Sequence, residues 1–169
     1  MGSHQSARML NDEWFTPPNI ILDLGPFDLD PCTAITRPWQ TAKENYTVLD
    51  DGLNQLWRGF VWCNPPYGKM TERWLMRMSQ YDNGIALIFA RTETKMFQKW
   101  VWNKATSILF IYNRLYFHYA NGKRAKANSG APSVLVAYGE EADERLLRSK
   151  IKGQYVKLVN RHGLSKPSA

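Results

Sequence analysis

Six consecutive apolar residues, Ile85 to Ala90, leave no polar side chain to turn toward water. Such a run reads as a central strand of a parallel sheet, covered on both faces. The surrounding chain fits that frame. Phe27 to Asp30 reads as a short strand ending in carboxylates, and Phe60 to Cys63 as a buried strand stopped by Asn64-Pro65-Pro66-Tyr67-Gly68. Thr71 is placed to cap a helix carrying Trp74, Met78 and Tyr81, which Asn83-Gly84 ends. Thr92 or Thr94 then caps a second helix, with Met96/Trp100 and Phe97/Val101 on one side. Strands follow at Ser107 to Tyr112, extending toward Phe117, and at Ser133 to Tyr138. A polar, basic loop from His118 to Pro132 separates them, and a charged helix from Glu140 to Lys152 comes last. Alternating strands and helices predict an α/β fold, mostly parallel, with the last two strands paired as an antiparallel C-terminal hairpin at one edge. Before Pro38 the chain is broken by Pro17, Pro18, Gly25, Pro26 and Pro31, so only short elements fit there.

A chain of 169 residues suits one domain. With 44% hydrophobic and 22% charged residues it has an ordinary globular composition. No apolar run approaches the roughly 18 residues needed to cross a bilayer. The two cysteines, Cys32 and Cys63, lack paired metal-site spacing and read as reduced thiols of a cytoplasmic protein; no metal is expected. Residues 1–8 read as a tag remnant, 9–160 as the functional domain and 161–169 as a flexible tail. Charge is placed unevenly. Residues 1–113 hold 11 basic and 11 acidic side chains, whereas 114–169 hold 11 basic and 4 acidic, so the net +7 belongs to the last third. Clustered Lys and Arg suit a polyanion, because they displace counterions from phosphates. A solvated surface would show the same composition.

The chemistry points to Asn64-Pro65-Pro66-Tyr67, at a strand end where ligands of α/β sheets bind. The exocyclic amine of adenine is a poor nucleophile, its lone pair delocalised into the ring. The Asn64 side-chain oxygen and the Pro65 carbonyl can accept its two hydrogens and localise that lone pair toward an electrophilic methyl. Neither Pro65 nor Pro66 has an N–H, and both fix φ, which keeps the loop rigid and its carbonyls available. Tyr67 offers a flat face for a flipped-out base. Catalysis would then consist of positioning and electrostatics.

With those residues stand Trp14-Phe15-Thr16-Pro17, Phe27-Asp28-Leu29-Asp30-Pro31-Cys32, Asp51-Gly52-Leu53 followed by Trp57, Ala90-Arg91-Thr92-Glu93-Thr94, Asn113-Arg114-Leu115 and Ala131-Pro132-Ser133. In order and spacing the set resembles the phage-type DNA N-6-adenine methyltransferases, the phage Dam family, from about Trp14 to Gly139. The resemblance implies a single Rossmann-like domain that uses S-adenosylmethionine, releases S-adenosylhomocysteine and acts on adenine flipped out of double-stranded DNA. A cytoplasmic, phage- or prophage-encoded protein with no membrane partner, acting as a monomer, is expected. Thr16 and Pro17 resemble the element at the cofactor's methionine end. The Asp28/Asp30 strand end with Pro31 resembles the acidic cofactor motif, and Asp51 the acceptor for the cofactor's adenine amine. The chain departs from the common pattern after Asp30, where Pro31-Cys32-Thr33-Ala34 stands in place of Gly-x-Gly.

Arg91, at the end of the apolar strand, is a candidate for a DNA phosphate or a cofactor carboxylate. Lys123, Arg124 and Lys126 are candidates for the DNA backbone, in a loop expected to give short or relaxed recognition. His118 and the helical tryptophans Trp74, Trp100 and Trp102 read as structural. Two other functions fit the motif, methylation of adenine in RNA or of a glutamine amide; a third, nucleic-acid binding without catalysis on a decayed methyltransferase core, is opposed by the intact Asn64 to Tyr67. The glutamine reading lacks a glycine-rich cofactor motif and a helical N-terminal domain here.

Overall fold

The computed structural model describes residues 14–159, so the expected tag remnant at 1–8 and tail at 161–169 lie outside the described residues. The apolar run is the middle of the molecule. Strand β4 (Gly84–Phe89) is buried from Gly84 to Ile88, and its side chains alternate between two cores as strand geometry requires. Ala86 and Ile88 pack with Leu75, Met78, Phe97 and Val101. Ile85 and Leu87 pack on the other face with Ile20, Leu24, Ala142 and Leu146. Each buried Ile or Leu contributes about 1.5–3 kcal/mol.

The helices supplying those partners are α1 (Pro18–Leu24), α2 (Thr71–Tyr81), α3 (Lys95–Phe97) and α4 (Glu140–Arg148). Thr94 caps α3, its hydroxyl accepting from the Phe97 N–H at 3.2 Å. After one α turn this second helix widens into a π turn over Gln98–Trp102. Thr71 does not cap α2 as expected; it is the first helical residue, and its hydroxyl serves the preceding loop instead. Asp82, in the left-handed region at φ 57°, ends α2. Gly84 belongs to β4, where a Cβ would meet the carbonyl oxygen of Val61 at 2.5 Å.

The remaining strands are β1 (Leu29–Asp30), β2 (Glu44–Asn45), β3 (Val61–Cys63), β5 (Ser107–Ile111), β6 (Ser133–Tyr138) and β7 (Gly153–Lys157). With β4 they form one seven-stranded sheet in the order β2-β1-β3-β4-β6-β5-β7. The sheet is mixed rather than mostly parallel. Parallel pairs join β2, β1, β3 and β4, and antiparallel pairs join β4, β6, β5 and β7. The expected β5–β6 pairing is present, but not at an edge. β6 inserts beside β4, from Gly84↔Tyr138 to Phe89↔Ser133, and β7 covers β5.

Strand β5 stops at Ile111 instead of reaching Phe117, since Asn113 turns the chain at φ 62°. The last helix ends at Arg148, with Ser149 extended. Residues 149–152 lead instead into β7, and Asp143 of α4 ties that strand down by accepting from Tyr155 at 2.6 Å and pairing with Lys157.

Candidate active site

Parallel pairing puts the carboxyl ends of β1, β3 and β4 on one edge of the sheet. Asp30-Pro31, Asn64 and Phe89-Ala90-Arg91 leave from there. β5 runs antiparallel to β6, which is antiparallel to β4, so the 112–132 connection opens at that same edge. A cleft of about 410 Å³ lies there, walled by residues of 14–16, 30–35, 51–53 and 64–67. That volume suits a small organic ligand.

Asn64 is held by its amide nitrogen, which donates to the backbone carbonyl of Trp14 at 3.2 Å. A carbonyl can only accept, so the amide must turn its nitrogen there and its Oδ1 away. That Oδ1 is buried without a partner among the described residues, as are the Tyr67 hydroxyl and Thr16 Oγ1. Three unpaired oxygens around one cleft are costly unless a ligand completes them. The loop carrying Asn64 is pinned by Thr71, whose hydroxyl donates to the Pro66 carbonyl at 2.9 Å and accepts from the Gly68 N–H at 3.1 Å. Pro65 is buried and Pro66 exposed.

Tyr67 stacks on Phe89, with centroids 4.1 Å apart and planes 5° from parallel. One ring face is therefore covered, and a base can stack only on the other. Burial pushes the Tyr67 hydroxyl well above its ordinary pKa, so it stays neutral.

The acidic candidates separate. Asp30 lines the cleft, almost wholly buried. Burial raises its carboxyl to about 6, against the opposing pull of the Thr41 hydroxyl and the Cys32 N–H. Asp28 is not a wall residue of the cleft. Its carboxylate pairs with Lys43 at 2.7 Å and accepts from the Phe60 N–H at 2.8 Å, contacts that hold its pKa below the usual range. Gly59 makes room for it, since a Cβ there would come within 2.4 Å of Asp28 Oδ2.

Asp51 lines the cleft at its exposed rim, with φ 52°, and accepts from the Asn54 amide at 2.6 Å. Its loop lies hard against β1's exit: a Cβ on Gly52 would sit 1.9 Å from the Pro31 carbonyl oxygen. The Trp57 indole locks the loop by donating to the Gly52 carbonyl at 2.7 Å. Thr16 and Pro31 line the cleft, whereas Pro17 caps α1 outside it. Cys32 and Cys63 are free thiols with sulfurs 3.7 Å apart.

Residues 117–125 form a narrow hairpin closed by Tyr119 N–H to Lys123 carbonyl at 2.9 Å and Ala125 N–H to Phe117 carbonyl at 2.7 Å. It carries Lys123 and Arg124 exposed, with Lys126 exposed just beyond; none of the ion pairs among the described residues involves them. Arg124 lies 3.9 Å over Tyr116. Remote in sequence from the cofactor candidates, the hairpin is adjacent in space: Phe15 and His118 exchange both backbone hydrogen bonds, at 3.0 and 2.9 Å. The His118 ring meets Trp39 edge-on at 5.2 Å. Arg91 is exposed and not part of the cleft wall, its guanidinium 6.0 Å from the Phe89 ring.

Trp14, Phe89 and Thr41 had no assigned role from sequence. Phe89 closes the legible apolar strand, but its contact with Tyr67 is purely tertiary. Among the described residues no group of three or more His, Cys, Asp or Glu could hold a metal ion, and no helix is long and apolar enough to cross a membrane. The family model described as DNA N-6-adenine-methyltransferase (Dam) matches residues 3–165. No curated protein and no solved structure matches the chain.

Proposed function

The chain belongs to the DNA N-6-adenine-methyltransferase (Dam) family, and from that premise we propose that it transfers a methyl group from S-adenosylmethionine to the exocyclic amine of an adenine flipped out of double-stranded DNA. The observation that carries this reading is the Asn64 amide. Its nitrogen is committed to Trp14, and its oxygen is buried without a partner among the described residues, beside a ring that can receive a base.

The residues present fit the cofactor. Asp30 offers a carboxylate in the cleft wall for its ammonium, Thr16 an unpaired hydroxyl for its methionine end, and Asp51 an acceptor at the rim for its adenine amine. Bound there, the cofactor supplies an electrophilic methyl on a sulfonium. Asn64 Oδ1 accepts one hydrogen of the target amine and the Pro65 carbonyl the other, which draws the nitrogen toward tetrahedral geometry. Tyr67, backed by Phe89, fixes the plane of the base. The nitrogen becomes cationic as it gains the methyl and sheds a proton to water, so the site requires no strongly basic side chain.

DNA is the polyanion on Lys123, Arg124 and Lys126, with Arg91 at the same edge of the sheet. The cleft at the carboxyl ends of β1 and β3 is what supports reading the domain as Rossmann-like. The same reading places the enzyme, as a monomer, in the cytoplasm of a phage-bearing host. The test is incubation of unmodified DNA with enzyme and S-adenosylmethionine, then sequencing for N6-methyladenine. The expected outcome is methylation at short or relaxed sites. Methyl on cytosine only, or on RNA or protein in place of DNA, overturns the assignment, and a recovered site of about six or more fixed bases overturns the relaxed recognition.

A further inference from the structure

We infer that Trp14 is a positioning residue for methyl transfer, holding the Asn64 amide in its productive orientation through a clamp supplied by the basic hairpin; this rests on the reading of Asn64 as acceptor. An asparagine amide presents an oxygen on one side and two donors on the other. Facing an amine, the wrong orientation opposes donor to donor and withdraws nothing from the nitrogen. Here the orientation is set by one contact, Asn64 Nδ2 to the Trp14 carbonyl at 3.2 Å, from a residue 50 positions earlier in the chain.

The hairpin grips the residue that carries that carbonyl. The Trp14 ring meets Tyr119 at 5.5 Å and, edge-on, Phe117 at 6.3 Å. The next residue, Phe15, is bonded through both backbone groups to His118 between them. The segment is otherwise irregular until α1 begins at Pro18, so the position of the Trp14 carbonyl follows the hairpin. The residue after Phe15 is Thr16, whose unpaired hydroxyl is buried at the cleft. One short strap thus links the surface proposed for DNA phosphates to the group that receives adenine and to the cofactor wall.

The experiment compares Trp14→Ala and Trp14→Phe in single-turnover methyl transfer at saturating cofactor and DNA, with DNA affinity measured separately. A displacement on the order of 1 Å at a reacting group costs up to about 100-fold in rate, so Trp14→Ala is expected to lose about 10- to 100-fold. DNA affinity should stay within about threefold, because the phosphate-binding charges are untouched. Trp14→Phe, which keeps an aromatic ring for the clamp, should recover most of the rate. Tyr119→Ala removes the clamp from the exposed side and should give the same signature, and it decides the matter if Trp14→Ala does not fold. An unchanged rate in both Ala variants overturns the inference. So does a loss of DNA affinity as large as the loss of rate, which would mean that the hairpin has merely unfolded. A wild-type protein that transfers no methyl to adenine overturns the proposed function itself, and the inference with it.

Discussion

At the scale of single residues, two aspartates separated only by Leu29 have opposite fates. Asp28 meets the Phe60 N–H and Lys43 and joins β1 to β3, whereas Asp30 is buried in the cleft wall with a carboxyl raised to about 6. Asp28→Asn is expected to lower stability by about 1 kcal/mol, a charged hydrogen bond discounted for exposure, with cofactor affinity nearly level. Denaturant unfolding and calorimetry would separate the two effects. Asp30→Asn should instead weaken the cofactor by about tenfold or more, the loss of a charge-assisted contact. The sign with pH follows from the raised value. Asp30 is ionised and able to pair with an ammonium above about 6; below that it is protonated. Affinity for S-adenosylhomocysteine should be flat at pH 7–8 and fall by about tenfold per unit below about 6. A flat calorimetric profile down to pH 5 in the wild type would remove Asp30 from the cofactor site.

At the scale of elements, the basic hairpin should behave as an electrostatic device. Neutralising Lys123, Arg124 and Lys126 together should weaken DNA binding similarly across sequences and lessen the slope of log affinity against log salt by about 0.9 per phosphate contact. Cofactor affinity should stay nearly level, because the backbone pairing of Phe15 with His118 survives loss of the charges. Unchanged affinity and slope would place the DNA track elsewhere. Lys157 is a weak alternative, since its ammonium is already paired with Asp143. The elements legible in the sequence were those whose own side chains demand burial. β3, β4 and, after Ser133, β6 are apolar runs, and Asn64 to Tyr67 is contiguous. β2, a polar pair at an edge, and β7, which opens with glycine, carry no such pattern; they exist because a neighbouring strand pairs with them. The place of β6 beside β4 was hidden for the same reason, since periodicity reports burial and not the identity of the neighbour. In the site, Asn64 meets Trp14 across 50 positions and Asp30 meets Thr41 across 11, and no spacing rule reaches either pair.

At the scale of the whole molecule, the +7 net charge is divided by the fold. Part of the basic last third is neutralised on α4 and β7, where Arg145 pairs with Glu141, Arg148 with Glu144 and Lys157 with Asp143. Among the described residues the 117–126 cations make no ion pair, at the edge of the sheet where the cleft opens. Ligand binding there should stabilise the entire domain, because the cleft is built from the exits of β1 and β3 together. S-adenosylhomocysteine at about 100 times its dissociation constant should add about 2.7 kcal/mol, a rise in Tm of about 5–10 °C for a domain of this size. The most direct test of the account is the split between turnover and cofactor affinity in Asn64→Ala. Asn64 is proposed to act on the amine in the transition state, so turnover on DNA should fall by about 100-fold or more while calorimetric affinity for S-adenosylhomocysteine stays nearly level. Turnover close to wild type, or loss of cofactor binding in parallel with turnover, would contradict it.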